Sequence, residues 1–412
     1  MTSAALRLTV EVGAPRIRFK TALSVLDHIV DTLPSADGSF CEPLKNNYLK
    51  SFRILLDHAP HAEHMRTKQW QTYIDFALAS LAADLEKSSL RSANASSRDG
   101  SLAPRSDHQN PLRLSQRSIR STGTGTESVS HAEEIVAALK SLTAITNAPV
   151  MTRGPAIAET LKEFLTVASR AQEEAFETLN NIVLASLTED VAFTQCLIAD
   201  LLPIIRQMWS SRSTQLRDQM LTILFSCRYL FLSPSDRWSA IDPTISKPLL
   251  NLILSEYKTR NEREMLHIDD MKPRLAGQNF PLQLKLFTPV RNSPRGVQCW
   301  TTLAIVACLI LGLSRKASPV NSADMLEHIP RKKQKIQTPL EELVQTAVEG
   351  VGQEKLASIQ VLLFVFDQPV PVDQDTAQSI LKLLPDLAHE DGSIQSWVYL
   401  VFSRYDAKMT SI

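Results

Sequence analysis

A chain of 412 residues that is 44% apolar can bury a sizeable core, as two to three domains or as one long repeat array. Its 44 basic and 44 acidic residues cancel, which excludes a whole-chain electrostatic attraction to nucleic acid or acidic partners. Only 12 glycines argue against glycine-dependent phosphate loops. The five cysteines (Cys41, Cys196, Cys227, Cys299, Cys308) are scattered, and Cys196 and Cys308 lie in apolar runs, so they predict a reducing compartment without disulfides. Residues 1–8 lack a long apolar stretch, so secretion is not expected and the sequon Asn94-Ala95-Ser96 is irrelevant.

In chain order, Ile17–Leu33 reads as a helix, with Phe19, Leu23, Leu26, Ile29, Val30 and Leu33 on one face. Pro34 and Asp37-Gly38 end it. Pro43 suits a first helical position, before the stripe Leu44, Tyr48, Phe52, Leu55 and Leu56. A third helix carries Trp70, Ile74, Ala77, Leu78, Leu81 and Leu85. From Ser88 to about Thr126 the periodicity disappears. Serine, threonine and arginine dominate there (Arg91, Arg98, Arg105, Arg113, Arg117, Arg120). Such a stretch cannot bury enough apolar area to offset an ordering cost of about 1–2 kcal/mol per residue, and reads as a disordered basic linker.

Amphipathic segments return at His131–Thr146, Pro155–Ser169, Glu173–Leu187, Val191–Trp209, Gln215–Leu232 and Thr244–Lys258, with a kink expected at Pro203. Residues 259–296 read as an irregular loop. Helices are expected again at Gly296–Ser314, Pro339–Val348, Gln353–Phe366, Asp375–Leu387 and Ser393–Tyr405. Two helices per roughly 40 residues is the HEAT-type period. The fold expected is therefore all-α, a degenerate HEAT-like α-solenoid interrupted by the linker, in which stacked neighbours supply each pair's core. The organisation expected is helical repeats over 1–87, the linker over 88–127, repeats over 128–258, the loop over 259–296, and repeats over 297–412 with a basic loop at 330–336.

Signals for chemistry are few. His58, His61 and His64 fall at i, i+3, i+6 near Cys41, but Pro60 interrupts any common ligand face, and an exposed loop is the preferred reading over a metal site. Trp300–Leu313 is strongly apolar; at about 21 Å it falls short of a hydrocarbon core of about 30 Å, so a buried helix is preferred to a membrane span. Arg331, Lys332, Lys333 and Lys335 form a compact basic run that fits a nuclear-localisation signal. Ser115-Gln116, in the linker, matches the target pattern of DNA-damage checkpoint kinases. Thr194-Gln195 and Thr214-Gln215 lie inside expected helices and are poorer candidates, and Ser293-Pro294, Ser318-Pro319 and Thr338-Pro339 are proline-directed alternatives. The phosphate loop, nucleophile elbow, zinc-protease and kinase motifs are all absent, and Gly123-Thr-Gly125 follows no strand. No catalytic, cofactor-binding, metal or small-molecule site is expected.

The order of segments resembles the amino-terminal region of fungal ATM-type checkpoint kinases of the phosphatidylinositol-3-kinase-related family. The resemblance rests on Val25-Leu-Asp-His-Ile-Val-Asp-Thr-Leu, Glu42-Pro-Leu with Tyr48, Ala59-Pro-His-Ala-Glu-His and Trp70. It continues through Arg295-Gly-Val-Gln-Cys-Trp, Leu303-Ala-Ile-Val-Ala, Arg331-Lys-Lys-Gln-Lys-Ile and Pro339-Leu-Glu-Glu-Leu. It implies a nuclear parent protein that phosphorylates serine or threonine before glutamine after double-strand breaks and maintains telomeres. It also implies that this solenoid recruits the kinase by binding a break-sensing protein complex, and that the kinase domain lies beyond the matching segments. On this reading the chain is a piece of a longer protein with no catalysis of its own, and Met1–Arg16 is expected not to display the family's amino-terminal telomere-maintenance motif. The alternative is a free-standing helical-repeat adaptor of the nucleus or cytoplasm. The basic linker is also a candidate for non-specific contact with DNA phosphates, and no membrane partner is expected.

Overall fold

The computed structural model describes residues 3–32, 42–57, 67–96, 126–144, 152–167, 170–210, 213–232, 243–263, 294–317, 338–368, 378–388 and 392–410. Regular structure within them is entirely helical. They form two compact units, Met1–Thr194 and Gln195–Ile412. The division falls inside the segment expected to run as one block from 128 to 258.

The first unit contains α1 (Ser3–Gly13), α2 (Phe19–Thr32), α3 (Glu42–Leu56), α4 (Thr67–Ser96), α5 (Thr126–Ala144), α6 (Gly154–Val167) and α7 (Gln172–Glu189). Helices α1, α3, α5 and α7 pack successively into one layer, and α2, α4 and α6 into another. The pairs α2/α3, α4/α5 and α6/α7 join the layers, which is the stacked-hairpin arrangement the period predicts. Trp70, Tyr73, Ile74, Ala77 and Leu81 bury one face of α4. The helix then continues to Ser96, so the expected linker start at Ser88 falls inside it; residues 97–125 lie outside the described set.

The alternation Leu6, Leu8, Val10, Val12 gives no helical stripe, because period two is a strand pattern. In the folded chain the segment is nonetheless a helix, with Leu6 and Val10 buried on its packed side.

Helix α8 (Val191–Met208) begins at Asp190, whose carboxylate accepts the Phe193 N–H at 2.9 Å, and it runs unbroken through Pro203, whose ring lies at the surface. The second unit continues with α9 (Thr214–Ser226), a 3-10 turn (Arg228–Leu232), α10 (Pro243–Arg263), α11 (Pro294–Ala317), α12 (Pro339–Glu349), α13 (Gly352–Asp367), a 3-10 segment (Leu381–Ala388) and α14 (Gly392–Thr410). The expected loop 259–296 is thus shortened at both ends by α10 and α11. Of the expected α-helix Asp375–Leu387, residues 375–377 lie outside the described set, residues 378–380 are α-helical, and the part from 381 is corrected to a 3-10 segment over 381–388. Pro385 lies within it and supplies no backbone donor for an α-helical ladder.

α11 is the hub: α9, the 3-10 turn after it, α10, α12 and α13 all pack against it, and every residue from Thr302 to Leu313 is buried. α13 is likewise buried on all sides from Leu356 to Phe366. Lys355 fastens its start, donating to Asp386 at 2.9 Å and to the Val348 carbonyl at 3.2 Å. The start of α12 follows directly from sequence. Thr338 accepts the Glu341 N–H at 3.2 Å, Glu341 accepts the Thr338 N–H at 2.9 Å, and Pro339 fills the first helical position.

The turn between α12 and α13 makes a paired prediction. Gly352 has φ +60° with open space around it, whereas a Cβ at Gly350 would press on the Thr346 carbonyl oxygen. Gly352→Ala is expected to cost about 1 kcal/mol through its left-handed backbone. Gly350→Ala is expected to cost about 1–3 kcal/mol, because backbone must shift. Urea unfolding of the two variants gives the comparison.

Candidate docking surface

Chemistry-bearing groups are spread out rather than assembled. Among the described residues no group of three or more His, Cys, Asp or Glu side chains could hold a metal ion. His58, His61, His64, Cys41 and Cys299 lie outside the described side chains. Three cysteines are described, all free: Cys196 is exposed, and Cys227 and Cys308 are buried. Burial pushes the Cys308 thiol up to about 12 against a smaller lowering by Arg228, and it raises Cys227 too. Cys308 Sγ lies 3.4 Å from Gln368 Oε1, as a weak donor. Buried protonated thiols are poor nucleophiles. Iodoacetamide should therefore label Cys196 quickly in the native chain and leave Cys227 and Cys308 unmodified until urea is added, as peptide mapping would show.

The apolar run is core from Thr302 to Leu313, since every residue there is buried and α11 packs against five neighbouring elements; the side chain of Trp300 lies outside the described ones. One described helix, α8, is long and apolar enough to cross a membrane by length and composition, with a third of it buried. Its Asp200, Pro203 and Arg206 are exposed.

Within the first unit, side-chain contacts link successive helices. Phe52 of α3 stacks on Tyr73 of α4 with centroids 3.9 Å apart and planes 14° apart. Arg53 Nε lies 2.7 Å from Glu134 of α5, Ser141 Oγ donates to Asp57 at 2.9 Å, and Arg153 lies 2.9 Å from Asp75. Lys140 pairs with Glu177, carrying the chain of contacts to α7. The Tyr73 hydroxyl is buried without a hydrogen-bond partner, and burial, then the Glu134 carboxylate, hold its proton on. Because no hydrogen bond is lost, Tyr73→Phe is expected to leave stability within about 0.5 kcal/mol of the parent or to raise it. A thermal melt of the variant checks this.

The clearest unassigned surface lies on α1. Leu8 is 60% and Val12 82% exposed, and Ala4, Ala5 and Thr9 beside them are exposed too. Arg7 and Glu11 form a 2.8 Å ion pair along the same helix. Sequence reading missed this surface. Its signal was the alternation itself, which on a helix places apolar residues on two opposite faces.

Of the candidates read from sequence, Arg331, Lys332, Lys333, Lys335 and Ser115 lie outside the described residues. Thr194 is buried, its hydroxyl 3.0 Å from both Ser186 Oγ and the Asp190 carbonyl, so it is not accessible to a kinase. Thr214 is exposed at the first position of α9, just after Ser213, which caps the helix by accepting the Leu216 N–H at 3.1 Å. Thr338 is occupied as the cap of α12.

These surfaces sit in a recognisable frame. A family model described as the Tel1 spiral domain matches residues 73–411. The chain belongs to the Tel1 spiral domain family. A second model, described as telomere-length maintenance and DNA damage repair, matches residues 1–71. That match overturns the expectation that Met1–Arg16 departs from the family's amino-terminal pattern. The boundary between the two matches falls within α4, so in this Tel1 spiral chain one helix runs from the first matched segment into the second.

The Tel1 relatives are those the sequence resemblance named. The chain is 25% identical over 419 residues to serine/threonine-protein kinase tel1 of Aspergillus oryzae, covering 97% of this chain and 14% of that protein. It is 26% identical over 442 residues to serine/threonine-protein kinase tel1 of Neurospora crassa, covering 99% and 14%. Over 71 residues it is 37% identical to serine/threonine-protein kinase tel1 of Schizosaccharomyces pombe, covering 17% of this chain and 2% of that one. A solved structure described as the complete CtTel1 dimer with C2 symmetry matches 98% of this chain and 13% of that chain, with TM-score 0.65 and 21% identity. The fold is therefore the expected HEAT-like α-solenoid of Tel1 kinases. The chain spans about one seventh of the length of these relatives.

Proposed function

We propose that this chain is a docking scaffold of an ATM-type kinase, presenting a helical surface to a protein partner in double-strand-break checkpoint signalling and telomere maintenance, with catalysis supplied elsewhere in the parent protein. The observation that carries this reading is the near-complete coverage of the chain by two Tel1 family segments, one of them the telomere-length maintenance and DNA damage repair segment. Stacked helical hairpins suit the role, because they offer long rigid surfaces to short partner segments. Overproducing the chain in a fungal cell with an intact Tel1-type kinase tests it. The scaffold should compete for the partner and reduce phosphorylation at Ser-Gln and Thr-Gln sites after induced breaks. Undiminished phosphorylation at high expression would refute the docking role.

Nuclear action follows from the same reading, with Arg331, Lys332, Lys333 and Lys335 as the import signal and Ser115 as a regulatory phosphosite. A fluorescent fusion should leave the nucleus when Lys332 and Lys333 become alanine, and Ser115 phosphate should appear in mass spectra only after damage. The arginine-rich stretch 88–127 would add a non-specific DNA contact, recognisable by an affinity that falls steeply with salt.

A further inference from the structure

The fold treats the two threonine-glutamine pairs of the chain, Thr194-Gln195 and Thr214-Gln215, in opposite ways. Thr194 is buried and its hydroxyl is engaged by Ser186 and Asp190. Thr214 and Gln215 are both exposed, and among the described residues the Thr214 hydroxyl makes no hydrogen bond. Although Thr214 lies within α9, it holds the first helical position, where its N–H is outside the helical ladder. Opening that first turn releases two bonds. The Leu216 N–H leaves Ser213 Oγ at 3.1 Å, and the Arg217 N–H leaves the Ser213 carbonyl at 3.3 Å. Buried Met220, Leu221, Ile223 and Leu224 keep the rest of α9 packed meanwhile. Helix ends open locally at small cost, so the pair can reach a kinase cleft in extended form.

Arg217 lies three residues beyond Thr214, within one helical turn. Its Nε is 3.3 Å from Glu256 Oε1 of α10, and each of the two side chains is 17% exposed. α9 and α10 each pack on α11, and this ion pair links them directly.

We propose that Thr214 is a phosphorylation site for kinases that select threonine before glutamine, and that its phosphate draws Arg217 away from Glu256 and loosens α10 from α9. In the transfer, Thr214 Oγ bonds to the γ-phosphorus of ATP as the bond to the β,γ-bridging oxygen breaks. ADP leaves, and the hydroxyl proton passes to the kinase's base. The phosphate brings about −1.5 to −2 charges at pH 7 and three acceptor oxygens, where Glu256 offers one charge. A guanidinium makes strong, two-pronged bonds to phosphate, and this one is within a turn of it. Glu256 then loses its cation and turns toward water, taking the link from α10 with it. The site stands independently of the docking role.

The test incubates the full chain with an ATM-type kinase, ATP and magnesium, and maps phosphate by mass spectrometry. A peptide of residues 208–220 is the unfolded control. The folded chain should be labelled at Thr214 at a rate within about tenfold of the peptide, since only one turn has to open. Labelling should fall at least about tenfold in Gln215→Ala, and Thr194 should stay unlabelled. Amide exchange then compares the two forms of the chain. Exchange across 243–263 should quicken at least about threefold on phosphorylation. Glu256→Gln should quicken it beforehand and remove most of the further change. Thr214→Val leaves Ser115 open to the kinase and should show no quickening, which assigns the effect to Thr214. An unlabelled peptide, a folded chain left unlabelled while the peptide is labelled, or labelling undiminished by Gln215→Ala would overturn the site. Unchanged exchange across 243–263, or an equal change in the Glu256→Gln chain, would overturn the switch.

Discussion

Asp367→Ala is expected to destabilise the second unit by about 3–5 kcal/mol, the largest effect predicted for any single polar side chain in the chain. Asp367, at the end of α13, is 11% exposed and pairs with Arg404 of α14, 7% exposed. Desolvation pulls the Arg404 guanidinium below its ordinary value, and the Asp367 carboxylate, through its charge and its hydrogen bond, holds the charge in place. Without that carboxylate the chain keeps a buried cation that cannot be neutralised, because arginine remains protonated in proteins. Replacing both partners with apolar residues of similar size should cost far less, since no charge is then stranded. Urea unfolding, with amide exchange of α13 and α14 to localise the change, distinguishes the cases. A loss below about 1 kcal/mol for Asp367→Ala would place the pair with ordinary surface bridges.

Trp70→Ala should destabilise the first unit by about 3–5 kcal/mol. Trp70 is fully buried at the start of α4, one turn before Tyr73, which stacks on Phe52. Removing the indole leaves a cavity where the layer containing α2, α4 and α6 meets its neighbour, and the rigid helices around it can close only part of the gap. The loss should appear as faster amide exchange in α3, α4 and α5 with little change in α13. Uniform acceleration across both units would mean that the two cores do not unfold separately, and the assignment of the effect to the first unit would fail.

Much of this architecture was legible from the residues themselves. The stripe on α2, the third helix with Trp70 and Ile74, and the helices at 154–167 and 172–189 all follow from apolar residues at helical spacing, because burying one face of a helix requires that spacing. Thr338, Pro339 and Glu341 specify the start of α12 through hydrogen bonds made within four residues. Local signals of this kind are complete in the sequence, since both partners lie within one turn.

Non-local outcomes were not. Residues 6–12 alternate as a strand would, and their helix emerges only because α3 offers Leu6 and Val10 a place to pack. The same packing decides that Leu8 and Val12 stay bare, which no single-helix pattern can state. Trp300–Leu313 is apolar enough for either a core or a bilayer, and enclosure by α9, α10, α12 and α13 settles Thr302–Leu313 as core. The Arg404–Asp367 pair joins residues 37 positions apart that show no mutual signature. By itself the sequence determined the all-helical class, the stacked-pair period and the caps, because these depend on backbone hydrogen bonding and periodicity within a few residues. Tertiary structure decided which faces are buried, which charges are paired and which stripe is left exposed, because those depend on what each helix meets across the fold.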